Sequence, residues 1–181
     1  GRVVEDNAEV YFLLRPQRLA DPAFAFRELA VNVGSNAQFV DEWGTAWEAD
    51  QAYAPGGWGY VGASAKEANT GRNIYNTDED PLYQTMREGL AGYRFDVPDG
   101  DYEIELRFVE RELAAGQRVF AVSVNGVPFV ERLDLAGQYG LLQPVVLRTH
   151  AHAMAGAGLR IEFMPITGLP VLSAVRIRRV L

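Results

Sequence analysis

Apolar and polar residues alternate with a period of two along most of the second half of the chain. In Tyr102 to Phe108, Tyr102, Ile104, Leu106 and Phe108 share one face, and Glu103, Glu105 and Arg107 share the other. Tyr93-Arg94-Phe95-Asp96-Val97 repeats the pattern just upstream. This period predicts half-buried strands. Further strands are predicted over Val119 to Val124, Val127 to Leu133, Val145 to His152, Leu159 to Phe163 and Val171 to Val180. Turn residues separate them. Asn125-Gly126 predicts a tight hairpin because both residues tolerate positive φ. Pro98-Asp99-Gly100-Asp101 predicts a second one, since Pro presets φ at the first turn position and Gly tolerates the next.

The first half is less regular. Leu29 to Val33 reads as a strand, and Val10 to Leu14 is a weaker candidate. From Gly34 to Thr77 the chain is rich in Gly, Asn, Asp, Trp and Tyr and shows little periodicity. A loop that long inside one domain is usually functional or carries small elements of its own. One short helix is predicted near 80–87, with Asp80 as its cap and Pro81 at its first position. Many short strands separated by turns predict an all-β fold, an antiparallel β-sandwich of jelly-roll type. Residues 1–28 read as a linker or docking segment and 29–181 as the sandwich domain.

Composition narrows the function. The 181 residues suffice for one well-cored domain. The net charge of −7 opposes a nucleic-acid partner, because phosphates would be repelled overall. No apolar run reaches the roughly 20 residues of a membrane helix. With no cysteine, disulfides, thiolate metal sites and a Cys nucleophile are excluded. Gly1-Arg2-Val3 reads as a tag scar followed by a cut inside a longer polypeptide.

Candidate chemistry concentrates in the irregular stretch. All three tryptophans, Trp43, Trp47 and Trp58, fall there, joined by Tyr53, Tyr60 and Tyr75. Asp41, Asp50, Asn69, Arg72 and Asn73 lie between them. Sugars offer flat apolar faces rimmed by hydroxyls, so a site needs aromatic platforms and a few fixed polar groups. Trp47, Trp58 and Tyr60 are the first candidates as platforms, with Asp50 and Arg72 as hydrogen-bonding partners. The competing reading is that these rings plug the open end of the sandwich, with Gly57-Trp58-Gly59-Tyr60 as a packed edge strand. Glu110 with Glu112, or Asp78, Glu79 and Asp80, could be offered as a hydrolytic carboxylate pair. Nothing in their surroundings would split their pKa values as that chemistry needs, and solvated charges or caps explain them better. His150 and His152 share a strand face but have no third metal ligand in view. No cofactor is expected. A structural calcium ion is conceivable by analogy with other sandwich modules, though Asp78-Glu79-Asp80 is too short to define its site.

Several phrases, in order, resemble the malectin and malectin-like family. They are Val31-Asn32-Val33-Gly34, Asp80-Pro81-Leu82-Tyr83-Gln84-Thr85, Tyr93-Arg94-Phe95-Asp96-Val97-Pro98, Gly100 to Glu110, and Arg118 to Gly126. The stretch from Val31 through Trp47-Glu48-Ala49-Asp50 to Gly57-Trp58-Gly59-Tyr60-Val61-Gly62 is similar to modules near the C-terminus of bacterial family 2 glycoside hydrolases of the β-galactosidase type. The resemblance implies a galactose-binding-domain-like sandwich that binds carbohydrate, does no bond chemistry, and belongs to a larger periplasmic or secreted enzyme. Its implied partners are an oligo- or polysaccharide and the parent chain's catalytic domain, without nucleic acid or membrane. The alternative is a structural module that docks on that domain and binds no free sugar. Animal malectin grips its sugar with loop aromatics and an aspartate. The resemblance sets one tyrosine near Tyr60, and the other gripping residues at or near Glu88, at Arg111-Glu112-Leu113 and near Gly168, so most of that site is missing here.

Overall fold

The computed structural model describes residues 26–62 and 65–180. The strand candidate at Val10 to Leu14 and most of the 1–28 segment lie outside the described residues. The strands in chain order are β1 (Glu28–Asn32), β2 (Phe39–Val40), β3 (Ala46–Ala49), β4 (Trp58–Val61), β5 (Lys66–Asn69), β6 (Thr85–Glu88) and β7 (Gly92–Phe95). They continue as β8 (Gly100–Phe108), β9 (Val119–Val124), β10 (Val127–Leu133), β11 (Val145–Ala153), β12 (Leu159–Thr167), β13 (Val171–Leu172) and β14 (Ala174–Arg179). Two single helical turns, Pro81–Gln84 and Leu135–Gln138, complete the set.

The strands form a β-sandwich. One sheet has the order β11-β8-β14-β1-β3-β2, and the facing sheet β10-β9-β12-β7-β4. A small third sheet, β13-β6-β5, extends from one end. All named strand pairs are antiparallel except β1 with β3. The expected apolar face of β8, from Tyr102 to Phe108, points into the core with Val175, Ile177 and Val31. Phe120, Val122, Ile161, Phe163 and Phe95 meet it from the other sheet. Phe108 and Phe120 meet across the layers as tilted rings 6.0 Å apart, and Phe120 and Phe163 lie 6.2 Å apart. Burying each such ring stabilises the fold by about 1.5–3 kcal/mol.

Asn125 and Gly126 both take positive φ, 49° and 76°, and close the β9–β10 hairpin as expected. Five other expectations are corrected. Pro98 to Asp101 turns the chain, but β7 and β8 belong to different sheets, so the segment is an arch across the sandwich and not a hairpin. Turn chemistry dictates where a chain reverses, and the partner is chosen by the longer strands β11 and β14. The closing strand is split at buried Ser173, with β13 in the small sheet and β14 in the main one. The helix near 80–87 stops at Gln84, and Thr85 onward is β6. Asp80 sits in helical geometry and makes no capping bond; its carboxylate accepts from the Ile74 N–H instead. Finally, β8 is not half-buried. Glu105 on its outer face collects Arg107 at 2.8 Å, Arg148 at 2.8 Å and Arg176 at 3.1 Å. Arg107 is in turn covered by Trp47 and Glu79.

The irregular 34–77 stretch holds β2 to β5, each of two to four residues, too short to show a period. Gly34 pins its start. With φ of +76° and the Met86 carbonyl oxygen 2.3 Å from where a Cβ would stand, only glycine fits there.

Candidate carbohydrate-binding pole

The sandwich has two poles. Strands β1, β3 and β8 run the same way, so Asn32, Ala49 and Phe108 end at one pole, the crown, where the small sheet is attached. Phe26, Gly100 and Arg179 lie at the other, the base.

The expected platforms do not face solvent. Trp47, at 0 % exposure, lies on β3 with its Nε1–H donated to Asp41 at 2.9 Å and the Arg107 guanidinium 4.6 Å from its ring. Trp58, at 3 %, lies on edge strand β4 opposite Phe95 and points into the core. Both are corrections to the sugar-platform reading, and the packed-edge-strand reading describes Trp58. An indole this large is held inside once its one polar group finds a partner or stays at the edge of the layer.

Asp50 is the centre of a structural hub. Its side chain is 1 % exposed. It accepts from the Gly34 N–H at 2.8 Å, from Arg87 Nε at 2.5 Å and from the Tyr93 hydroxyl. Arg87 also reaches Glu67 at 3.1 Å, and its guanidinium lies 3.5 Å from the centre of the Tyr60 ring. Burial works against the charge on Arg87, but Asp50 overrides it and raises the pKa. Burial, with Asp50 beside it, pushes the Tyr93 hydroxyl far above the ordinary range. The Asp50 carboxylate is therefore committed to protein donors, and Arg87 occupies one face of Tyr60. Neither residue serves as sugar partner or open platform. Arg72 is the exception: it is exposed at the crown, giving one hydrogen bond to the Arg111 carbonyl at 2.9 Å.

The positions aligned with animal malectin's gripping residues do converge in space. Glu88 accepts from Arg118 at 2.8 Å and lies 3.8 Å from Arg111. Arg118 also binds Glu110 at 2.6 Å and the Leu169 carbonyl, next to Gly168, at 2.6 Å. Glu110 further accepts from the backbone N–H groups of Arg111, Glu112 and Leu113. A side chain at Gly168 would strike the Gln117 carbonyl oxygen at 2.5 Å. Salt bridges occupy the positions that the resemblance sets against the gripping residues of animal malectin. The proposed carboxylate pair dissolves here: Glu110 is buried and fully partnered, while Glu112 is exposed. Glu79 is bound to Arg107 and Asp80 to the Ile74 N–H. His150 and His152 are exposed on β11, with His152 beside Asp101. Among the described residues no three side chains form a metal-ligating group.

Two exposed tyrosines rim this cluster. Tyr75 is 48 % exposed and Tyr139 45 %. Their loops meet where the Tyr75 N–H bonds the Leu142 carbonyl at 2.9 Å and Asn76 bonds Gln143 at 3.0 Å. Leu142 in turn donates to the Glu110 carbonyl at 2.7 Å, tying both loops to the ion cluster. Tyr75 belongs to the aromatic stretch noted in the sequence. Tyr139 was missed, because it follows a single helical turn between two strands and carries no periodic signal.

The malectin domain profile matches residues 28–175. The β-glucuronidase of Bacteroides uniformis superposes with a TM-score of 0.79 at 36% identity, over 85% of this chain and 18% of that one. The Arabidopsis thaliana kinesin-like protein KIN-14Q is 30% identical over 89% of this chain and 12% of its own length. Malectin-B of Xenopus laevis is 36% identical over 69 residues, 36% of this chain and 25% of its own. The chain thus spans a small part of each of these relatives, and the resemblance to a malectin-like module extends across most of it. The chain belongs to the malectin domain family.

Proposed function

We propose that this chain is a non-catalytic carbohydrate-binding domain of a larger exported glycoside hydrolase of the family 2 type. The malectin family is one of binding domains, and the Bacteroides relative is a β-glucuronidase, which makes such a parent enzyme the economical choice. The sugar would rest on the crown. The observation that carries this reading is the pair of exposed tyrosines, Tyr75 and Tyr139, on two loops joined by the Tyr75–Leu142 and Asn76–Gln143 hydrogen bonds. They rim the pole where the family's gripping positions converge.

Two facts support a role without bond chemistry. Glycoside hydrolysis needs one carboxylic acid with a raised pKa facing a second carboxylate. The carboxyl groups with displaced values, Asp41, Asp96 and Glu105, are all held below the ordinary range, because hydrogen bonds and arginines outweigh burial. At the crown, Glu88 and Glu110 are both tied to Arg118. Trp43, 80 % exposed at the opposite pole, favours docking on a protein as a second role.

A glycan array followed by calorimetric titration of the 181-residue chain tests the binding reading. The expected result is binding that Tyr75→Ala weakens at least tenfold without lowering the unfolding temperature. A blank array would leave docking as the sole role.

A further inference from the structure

The base carries one feature that sugar binding does not use. The β2–β3 hairpin is closed by Asp41, whose carboxylate accepts from the Trp43 N–H at 3.0 Å, the Thr45 N–H at 2.8 Å and Trp47 Nε1 at 2.9 Å. The Asp41 backbone adds bonds to Thr45 and Gly44. The turn is thus locked from inside, and Trp47 roots it in the protein. At its tip stands Trp43, 80 % exposed, with Val40 on edge strand β2 also 57 % exposed. An indole on a rigid turn loses little conformational freedom on binding, which is the property of a protein–protein anchor. The same geometry argues against a sugar. A sugar site needs fixed polar groups beside the ring; the Asp41 carboxylate is spent within the turn, and Glu42 beside it is held by no hydrogen bond among the described residues.

The hairpin lies close to the point where the chain enters the sandwich. Ala30 pairs with Trp47 in the parallel β1–β3 register, which sets the tip level with the start of β1. Adjacent strands are roughly 4.8 Å apart, so Trp43 stands one to two strand widths from the place where the chain enters the sandwich. Phe26 is packed there on Tyr102 at 5.8 Å. The other end leaves from the same pole, with Arg179 N–H bonded to the Arg27 carbonyl at 2.7 Å and Val180 N–H to the Asp101 carbonyl at 2.8 Å. A domain joined to the chain ahead of Phe26 would meet Trp43 at high effective concentration.

We propose that the Trp43 hairpin is the anchor by which this module docks on the domain preceding residue 26 in the same polypeptide, with the indole seated in an apolar pocket of that domain. The proposal rests on the reading of the module as part of a longer enzyme. It assigns the sugar to the crown and the protein contact to the base.

Peptide-resolved oxidation of Trp43 tests it, comparing the 181-residue chain with the full-length polypeptide that carries it. In the shorter chain Trp43 should react as a free indole. In the full-length protein it should react at least tenfold more slowly, and Trp43→Ala there should raise amide exchange over residues 38–46. Equal oxidation rates in the two proteins would overturn the proposal. So would protection in the shorter chain that grows with its concentration, which marks self-association, or protection conferred by added glycan. A blank glycan array with Trp43 still protected would remove the binding function and leave the anchor standing. Binding at the crown with Trp43 open would do the reverse.

Discussion

The crown and the base use the same residue types to opposite ends. At the crown, arginines and glutamates are drawn inward: Arg118 holds Glu88 and Glu110, Arg87 holds Asp50, and the exposed rings are tyrosines on loops. At the base, one aspartate turns inward to build a hairpin, and a tryptophan is pushed out to 80 % exposure. The difference teaches that an aromatic-rich stretch has no single role. Trp43 and Trp47 are four residues apart, and the Asp41 carboxylate buries one and displays the other.

The comparison can be broken first at the charged hubs. Asp50→Ala strands Arg87 in the interior and frees the Tyr93 hydroxyl and the Gly34 N–H. It should cost about 3–5 kcal/mol in denaturant unfolding, as does breaking a buried pair from one side. Were Asp50 a sugar ligand and nothing more, the substitution would leave stability unchanged. Trp58→Ala removes a ring buried against Phe95 and should cost a similar ~3–5 kcal/mol. An unchanged midpoint would return Trp58 to the surface.

Acid sharpens the comparison next. Asp41, Asp96 and Glu105 have folded pKa values below their ordinary 3.8, 3.8 and 4.5. Each therefore binds fewer protons folded than unfolded. Their contribution to stability is complete above those ordinary values and is lost as pH falls through the lowered ones. Thermal unfolding temperatures should hold level from pH 7 to about 5 and decline below about 4.5. A decline beginning near pH 6 would point to groups other than these.

The smallest effects on stability belong to the displayed rings. Tyr75→Ala and Trp43→Ala should each shift the isolated chain by no more than about 0.5 kcal/mol. A larger loss would mean that the rings pack in the fold and are not presented to a partner.

Much of the fold was legible in the sequence, because β8, β9, β11 and β12 are long enough for period two to show. Asn125-Gly126 declared its hairpin for the same local reason. The arch at Pro98 to Asp101 was not legible, since a turn signal carries no information about which sheet receives the next strand. Nor was the burial of Glu105 and Arg107, whose polar face is covered by Trp47 and Glu79 from distant segments. At the candidate site, the irregular stretch supplies exposed Tyr75 and Arg72, whereas Trp47 and Trp58, the first choices as platforms, are buried. Exposure of an indole depends on a hydrogen-bond partner supplied by the fold, and the sequence shows only that Asp41 and Trp47 are six residues apart. Arg72 alone among the five chosen residues stands exposed at the crown.

The central claim is that the crown, and not the buried tryptophans, receives carbohydrate. Calorimetric titration of the 181-residue chain and its Tyr75→Ala variant with a glycan that the array selects tests it most directly. Saturable heat is expected for the first and at least tenfold weaker binding for the second, at equal unfolding temperature. Identical binding curves for the two proteins would contradict it.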